Sequence, residues 1–357
     1  MTQLLLFIAG LLALTLGADV LVRGAARLAL SLGLSPLVVG LTIVAFGTSA
    51  PEIAVAVDAA LAGQSALTIG NVVGSNICNL LLILGIGALI TPLSIASQVM
   101  RQEVPVMILA SALVVALAWN GAIGQAEGAL LTALLVAYLV FLVRQSRRAS
   151  RAEQAHFGDL PTDTVGSHWN IEMLKIGAGL VGLVIGADWL VEAAVYFARA
   201  LGVDDLVIGL TVVAVGTSLP EIATSVMAAL RGERDMAIGN AVGSNVFNLL
   251  GCLGLAGLIS PAGLPVPAAA LDFDLWVMLA VAVACLPVFV VRREIARWEG
   301  IAFIAYYIAY VAYLVLDATG SGALKTFSIA MLGFVMPLSL ATLIALTVRR
   351  RRNGHPR

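Results

Sequence analysis

Apolar residues run in long unbroken stretches along almost the whole chain, with only short polar breaks between them. Eleven such stretches are legible, over residues 3–31, 36–62, 67–91, 103–120, 126–143, 172–201, 204–230, 235–260, 272–291, 299–317 and 326–348. Most are close to or above the ~20 residues that carry a helix across a bilayer of ~30 Å hydrocarbon thickness. They are continuous rather than alternating, so they predict transmembrane helices and not the strands of a barrel. Between the fifth and sixth lies the one substantial polar interval, RQSRRASRAEQAHFGDLPTDTVGSHWN. It is long enough to join two halves and too short to fold as a domain.

The second pattern is a repeat. Shifted by 169 residues, positions 40–92 lie over 209–261 without a gap, and 32 of the 53 pairs are identical. The match continues upstream, where GADVLV at 17–22 faces GADWLV at 186–191. Each half contains five apolar stretches, and an odd number turns the second copy over relative to the first. The expected fold is an all-α polytopic membrane protein with two inverted-topology repeats of five transmembrane helices (5+5) plus one extra C-terminal helix. The expected divisions are a first repeat over 1–143, a basic cytoplasmic linker over 144–171, a second repeat over 172–317, and the extra helix with a basic tail over 318–357. Inverted repeats with interrupted helices are a transporter architecture, with the site near the midplane where the repeats meet.

Composition agrees: of 357 residues 61% are hydrophobic and 11% charged, with a mean hydropathy of +1.02. That excludes a water-soluble domain of this length. The net charge of −1 and the lack of a basic domain give no footing for a nucleic-acid partner. Cys78, Cys252 and Cys285 lie in apolar stretches without metal-ligand spacing and read as small packing residues. Leu4–Leu16 has no basic segment before it and no cleavage pattern after it, so it reads as the start of a retained span. With the N-terminus outside, 18 of the 20 Lys and Arg residues fall on the inner side and only Arg199 and Lys325 on the outer. The positive-inside rule therefore orients the chain N-out and C-in.

Candidate chemistry is concentrated in the repeat. GTSAPE at 47–52 and GTSLPE at 216–221 each put a proline beside a glutamate inside an apolar stretch. Pro51 and Pro220 cannot donate a backbone hydrogen bond, and they disfavour helical geometry in the residue before them. Backbone carbonyls around Ala45–Thr48 are expected to lose their helical partners, which at membrane depth suits only a cavity or a binding site. Glu52 and Glu221 each cost about 2.5–3.5 kcal/mol at mid-membrane on insertion scales. No Lys or Arg lies at matching depth, so a bound cation is their natural partner. Thr48, Ser49, Thr217 and Ser218 add hydroxyls. GNVVGSNICN at 70–79 and GNAVGSNVFN at 239–248 add Asn71, Ser75 and Asn79, and Asn240, Ser244 and Asn248, each trio on one helical stripe, with Asn76 and Asn245 beside them. Ser75, Asn79, Ser244 and Asn248 read as cation-lining; the other four asparagines, Asn71, Asn76, Asn240 and Asn245, read rather as polar glue between helices. An all-oxygen set without His or Cys suits Ca²⁺ or Na⁺. Asp19 and Asp188, related by the repeat, read as local partners of Arg23 or helix caps, Asp58 as a helix-end residue or part of an ion path, and Asp272 and Asp274 as caps of the ninth span.

At these motifs the chain resembles the calcium/cation antiporter superfamily, and the compact prokaryotic sodium/calcium exchangers in particular. The resemblance covers about residues 3–317. It implies that Glu52 and Glu221 are central Ca²⁺ ligands that also bind Na⁺, and that Thr48 and Thr217 give carbonyls to Ca²⁺. It implies that Ser49, Ser75, Ser218 and Ser244, with the carbonyls of Ala45 and Ala214, complete flanking Na⁺ sites, with Asn79 and Asn248 at the centre. Some relatives, potassium-dependent ones included, carry Asp where this chain has Asn248. Asn leaves two formal charges and speaks against K⁺ coupling. The eleventh stretch departs from the family's ten-helix pattern.

The expected function is secondary antiport of Na⁺ against Ca²⁺ in the cytoplasmic or inner membrane, with the two glutamates as shared ligands. The alternative is exchange of H⁺ for Ca²⁺ or another divalent cation on the same fold. A cation channel with an acidic ring fits inverted, broken helices less well. No HExxH and no Ser/His or Cys/His constellation lies in the spans, so no enzyme is expected. Ca²⁺, Na⁺ and the bilayer are the partners inferred, with no cofactor and no obligate protein partner.

Overall fold

The computed structural model describes residues 2–32, 34–157, 169–203, 205–208, 211–212 and 214–337. Helix α1 spans Thr2–Leu32. Helices α2 (Pro36–Thr48) and α3 (Ala50–Leu61) meet at a bend of 44°. Then follow α4 (Ser65–Ile90), α5 (Val99–Ala118) and α6 (Gln125–Phe157). The second half opens with α7 (Trp169–Ala200) and the short α8 (Asp205–Ile208) and α9 (Ala214–Thr217). It continues with α10 (Leu219–Leu230), α11 (Arg234–Ile259), α12 (Ala270–Phe289), α13 (Arg297–Ala318) and α14 (Ala323–Val335).

Among the described residues, eight helices are long and apolar enough to cross a membrane, and the bent α2–α3 pair makes nine. Over the seventh expected span, 204–230, the described residues form the short helices α8, α9 and α10, none of them long enough to cross a membrane by itself. The eleventh is described only as far as α14 and residue 337; the rest of 326–348, residues 158–168 of the linker and the basic tail lie outside the described residues.

Small residues set how the helices meet. A Cβ on Gly10 would lie 2.9 Å from the Gly186 carbonyl oxygen, and one on Gly17 would lie 2.8 Å from that of Gly179. Gly24 lies against Glu172 and Ile176. The positions advance along α1 as they retreat along α7, so the two helices are antiparallel and touch backbone to backbone. Gly10 and Gly17 are themselves the 169-residue counterparts of Gly179 and Gly186. Such close approach is how helices gain packing where lipid supplies no hydrophobic drive.

Other contacts also come in repeat-related pairs. Gly128 of α6 lies against Gly254 of α11, and Gly300 of α13 lies against Gly85 of α4. Two short antiparallel strand pairs exchange partners between halves. β1 (Leu93–Ser94) pairs with β4 (Glu294–Ile295), and β2 (Ala122–Ile123) with β3 (Leu264–Pro265). The centre is formed by α4 and α11, whose most apolar windows are 72% and 83% buried against 11–44% for the other long helices. They pack against the broken helices and carry the asparagine motifs.

Candidate cation site

The two broken helices place their acids alike. Glu52 is in the first turn of α3 and Glu221 in the first turn of α10, each just after its proline. A helix N-terminus is the favourable end for a carboxylate. Pro51 has no N–H, so the Gly47 carbonyl loses its donor four residues on, as does Gly216 before Pro220. The break is narrower than the sequence suggests. The Ala45 carbonyl still accepts the Ser49 N–H at 3.0 Å and lies 3.4 Å from the Thr48 hydroxyl. In the second copy the Ser218 N–H reaches Val215 instead, at 3.1 Å.

Ser49 and Ser218 occupy the N-cap positions of α3 and α10 but bond no N–H of their own helices. Ser49 donates its hydroxyl to Glu221 Oε1 at 3.2 Å, across the halves. The Ser218 hydroxyl donates to Ser75 Oγ, also at 3.2 Å. The threonines cross over as well: Thr48 donates to Asn240 Oδ1 at 3.2 Å and Thr217 to Asn71 Oδ1 at 3.1 Å. Each loop of one half is thus tied to a long central helix or an acid of the other.

The acids themselves are about 1% exposed. Among the described residues, the ion pairs involve Asp19 and Glu172 and none reaches Glu52 or Glu221. Both carboxyl oxygens of Glu52, Oε2 of Glu221, Oδ1 of Asn79 and Oγ of Ser244 are buried without a hydrogen-bond partner. Buried polar atoms are normally bonded, and a buried charge needs a counter-charge. Buried partnerless oxygens on the two acids, Asn79 and Ser244, with no ion pair to either acid among the described residues, have the oxygen-only chemistry that suits a hard cation.

The predicted site residues are distributed as follows. Glu52, Thr48, Ser49, Ser75, Asn79, Ser218, Glu221, Ser244 and Asn248 are all buried, and Thr217 is half-buried. Hydrogen bonds join five of these ten: Ser49 to Glu221, Thr48 to Glu221 through Asn240, and Ser218 to Ser75. Asn248 faces differently from Asn79: its Oδ1 accepts the Cys252 thiol at 3.4 Å and its Nδ2 has no partner. The Ala45 carbonyl is already engaged, and Ala214 opens α9. Asp19 pairs with Arg23 at 2.7 Å, as its spacing implies, and also with Arg231 at the end of α10. Asp58 and Asp188 are exposed. Asp274 does not cap its helix; it accepts the Tyr310 hydroxyl at 3.0 Å.

The structure sharpens some roles and adds others. Asn240 bonds the Glu221 carbonyl at 3.3 Å and Ser225 at 2.9 Å as well as accepting from Thr48, so it is the polar glue the sequence reading favoured, acting as a hub between helices. Its counterpart Asn71 has a buried Nδ2 with no partner, because Ser225 is replaced by Ala56 in the first half. Glu103 is fully buried, accepting from Tyr138 at 2.6 Å and Gln98 at 3.0 Å. It opens the fourth apolar stretch directly after Arg101 and Gln102, so the sequence gives no sign that it is buried. Helical turns of π type at Asn79–Ile83 and Phe247–Cys252 sit on the central asparagines; such turns gather at functional sites, and no residue pattern announces them.

Known proteins resemble this chain over most of its length. The family profile described as sodium/calcium exchanger protein matches residues 2–144 and 172–316. The sodium/calcium exchanger MaX1 of Methanosarcina acetivorans is 34% identical over 343 residues, 87% of this chain and 97% of that protein. The inner membrane protein YrbG of Escherichia coli (strain K12) is 36% identical over 233 residues, 64% of this chain and 71% of YrbG. The solved structure of the sodium-calcium exchanger NCX_Mj soaked with 10 mM Na⁺ and zero Ca²⁺ superposes with a TM-score of 0.75 at 31% identity, covering 87% of this chain and 98% of that one.

Proposed function

The chain belongs to the sodium/calcium exchanger family, and from that premise we propose that it exchanges Na⁺ for Ca²⁺ across the membrane by alternating access. Glu52 and Glu221 are the shared cation ligands. The observation that carries this reading is the set of partnerless buried oxygens on Glu52, Glu221, Asn79 and Ser244, with no Lys or Arg among the described ion pairs to neutralise the acids.

One Ca²⁺ neutralises the two carboxylates. The same oxygens cannot hold Ca²⁺ and a full set of Na⁺ together, so the ions compete and exchange. The empty, doubly negative site is penalised in a low-dielectric passage, which couples each crossing to a bound load. Ser49, Ser75, Ser218 and Ser244 flank the acids for Na⁺, with the carbonyls of Thr48 and Thr217 turned to Ca²⁺. The carbonyls of Ala45 and Ala214 are the weaker part of that assignment, since the Ala45 oxygen is already bonded.

The two halves are inverted repeats of five spans each. Antiparallel packing of α1 on its repeat counterpart α7 supports this, as do the exchanged strand pairs. The N-terminus lies outside and the basic linker and tail inside, supported by the Lys and Arg distribution.

The test is Ca²⁺ uptake into proteoliposomes loaded with Na⁺ and diluted into Na⁺-free buffer. Uptake is expected to need internal Na⁺ and to fall ~100-fold or more in Glu52→Gln and in Glu221→Gln, since each leaves the divalent ion short of a charge. Uptake driven by a proton gradient alone would put H⁺/Ca²⁺ exchange in its place.

A further inference from the structure

Four asparagines lie where the halves meet, in two repeat-related pairs: Asn76 with Asn245, and Asn79 with Asn248. Asn79 Nδ2 donates to Asn245 Oδ1 at 3.0 Å. Shifting both residues by the repeat gives the companion bond, from Asn248 Nδ2 to Asn76 Oδ1. That bond is not made. Its donor and its acceptor are both buried without any partner, on residues 1% exposed.

The remaining bonds differ in the same sense. Asn245 Nδ2 reaches across to the Asn76 carbonyl at 3.3 Å and to the Met107 sulfur at 3.5 Å. Asn76 Nδ2 instead turns back to Val72 O on its own helix, at 2.9 Å. The central carboxamides therefore present opposite ends. Asn79 has its nitrogen committed and its oxygen free. Asn248 has its oxygen taken by the Cys252 thiol and its nitrogen free. Of the two, Asn79 is the one that offers an oxygen to a cation.

We propose that Asn245 and Asn76 are positioning residues that hold the two central carboxamides in alternation. In this state Asn245 holds Asn79. In the state open to the other side, Asn76 holds Asn248, Asn79 is released, and the ligand oxygen passes from one half to the other. The inference rests on the alternating-access reading above. Its physical basis is that residues 70–79 and 239–248 are alike in every polar position, so exchanging conformations between halves trades one amide bond for its equivalent. A buried donor and a buried acceptor that match each other, left open together, are what the other state consumes.

A shift in the conformational balance changes apparent affinity on the two faces in opposite directions, because only the competent fraction binds from each side. Half-saturating Ca²⁺ is therefore measured on right-side-out and inside-out vesicles. Asn245→Leu should raise it on one face and lower it on the other, by about three- to tenfold, the worth of one such hydrogen bond. Asn76→Leu should do the reverse, and the double variant should return both values towards wild type. A purely structural role would move both faces the same way. That result, or no shift in either variant, would overturn the proposal. If the leucine variants fail to fold, Asn245→Ala and Asn76→Ala are read identically.

Cysteines at Thr68 and at its counterpart Ala237, both buried, read the same balance in detergent without transport. Asn245→Leu should change their maleimide labelling rates in opposite directions, and equal changes or none would again overturn the proposal. The three native cysteines are buried and give little background. Wild-type uptake separates the two failures: no Na⁺-driven Ca²⁺ movement would remove the exchange reading. Uptake with unshifted variants would remove only the carboxamide hand-over.

Discussion

A serine before a proline-started helix ordinarily spends its hydroxyl on that helix's first free N–H groups. Ser49 and Ser218 spend theirs across the halves, on Glu221 and Ser75. The choice shows what each residue is for: the local cap is given up and the contact between repeats is gained. Asn240 carries the same logic furthest, joining Thr48, Glu221 and Ser225. Asn240→Ala should lower the initial rate of Na⁺-driven Ca²⁺ uptake ~10-fold or more, since it strands several buried polar groups at ~1–3 kcal/mol each. Asn71→Ala should cost clearly less, because its Nδ2 already lacks a partner. Equal losses in the two variants would show that the hub is not where the hydrogen bonds place it.

At the scale of elements, the break between α2 and α3 and the glycine seam between α1 and α7 do different work. Pro51 removes one helical N–H and lets Glu52 stand at a helix start. Pro51→Ala restores the donor to the Gly47 carbonyl, so thermal stability in detergent should rise by about 1 kcal/mol while uptake falls ~10-fold. A variant that gained no stability would mean that the break is held by other contacts. The seam is steric. A Cβ on Gly186 would lie 2.5 Å from Leu14 N, whereas one on Gly177 meets nothing within 4 Å. Gly186→Ala should cost about 1–3 kcal/mol in thermal unfolding, the usual penalty of overpacking. Gly177→Ala, on the same helix, should be neutral.

At the scale of the whole molecule, contacts recur in pairs across the repeat, and the departures from pairing are informative. Asp19 pairs with Arg23 and Arg231, but its counterpart Asp188 is exposed and Arg231 is replaced by Ala62 in the first half. Arg231→Ala should change stability by no more than ~1 kcal/mol, because the arginine is 43% exposed and screened. A larger loss would make this pair a strut between α1 and α10. The N-out orientation is checked with a cysteine at Ala155 in the linker: an impermeant maleimide should leave it unlabelled in right-side-out vesicles and label it in inside-out ones. The reverse pattern would invert the topology.

The helical class was legible because a bilayer demands ~20 apolar residues per crossing. The duplication and the acid beside each proline were legible because identity at a fixed shift needs no coordinates. Even Asp19 with Arg23 followed from a spacing of four residues on one helix. The sequence also named Glu52 and Glu221, since an acid without a nearby base in an apolar stretch has to be explained. It could not say that Ser49 bonds Glu221 rather than its own helix, that Asn240 and not Asn71 is a hub, or that Glu103 meets Tyr138. Each of those depends on which side chain arrives from residues far along the chain. Tertiary structure decided them because hydrogen bonds form over about 3 Å, a distance set by how glycine-lined helices cross and not by local order in the sequence.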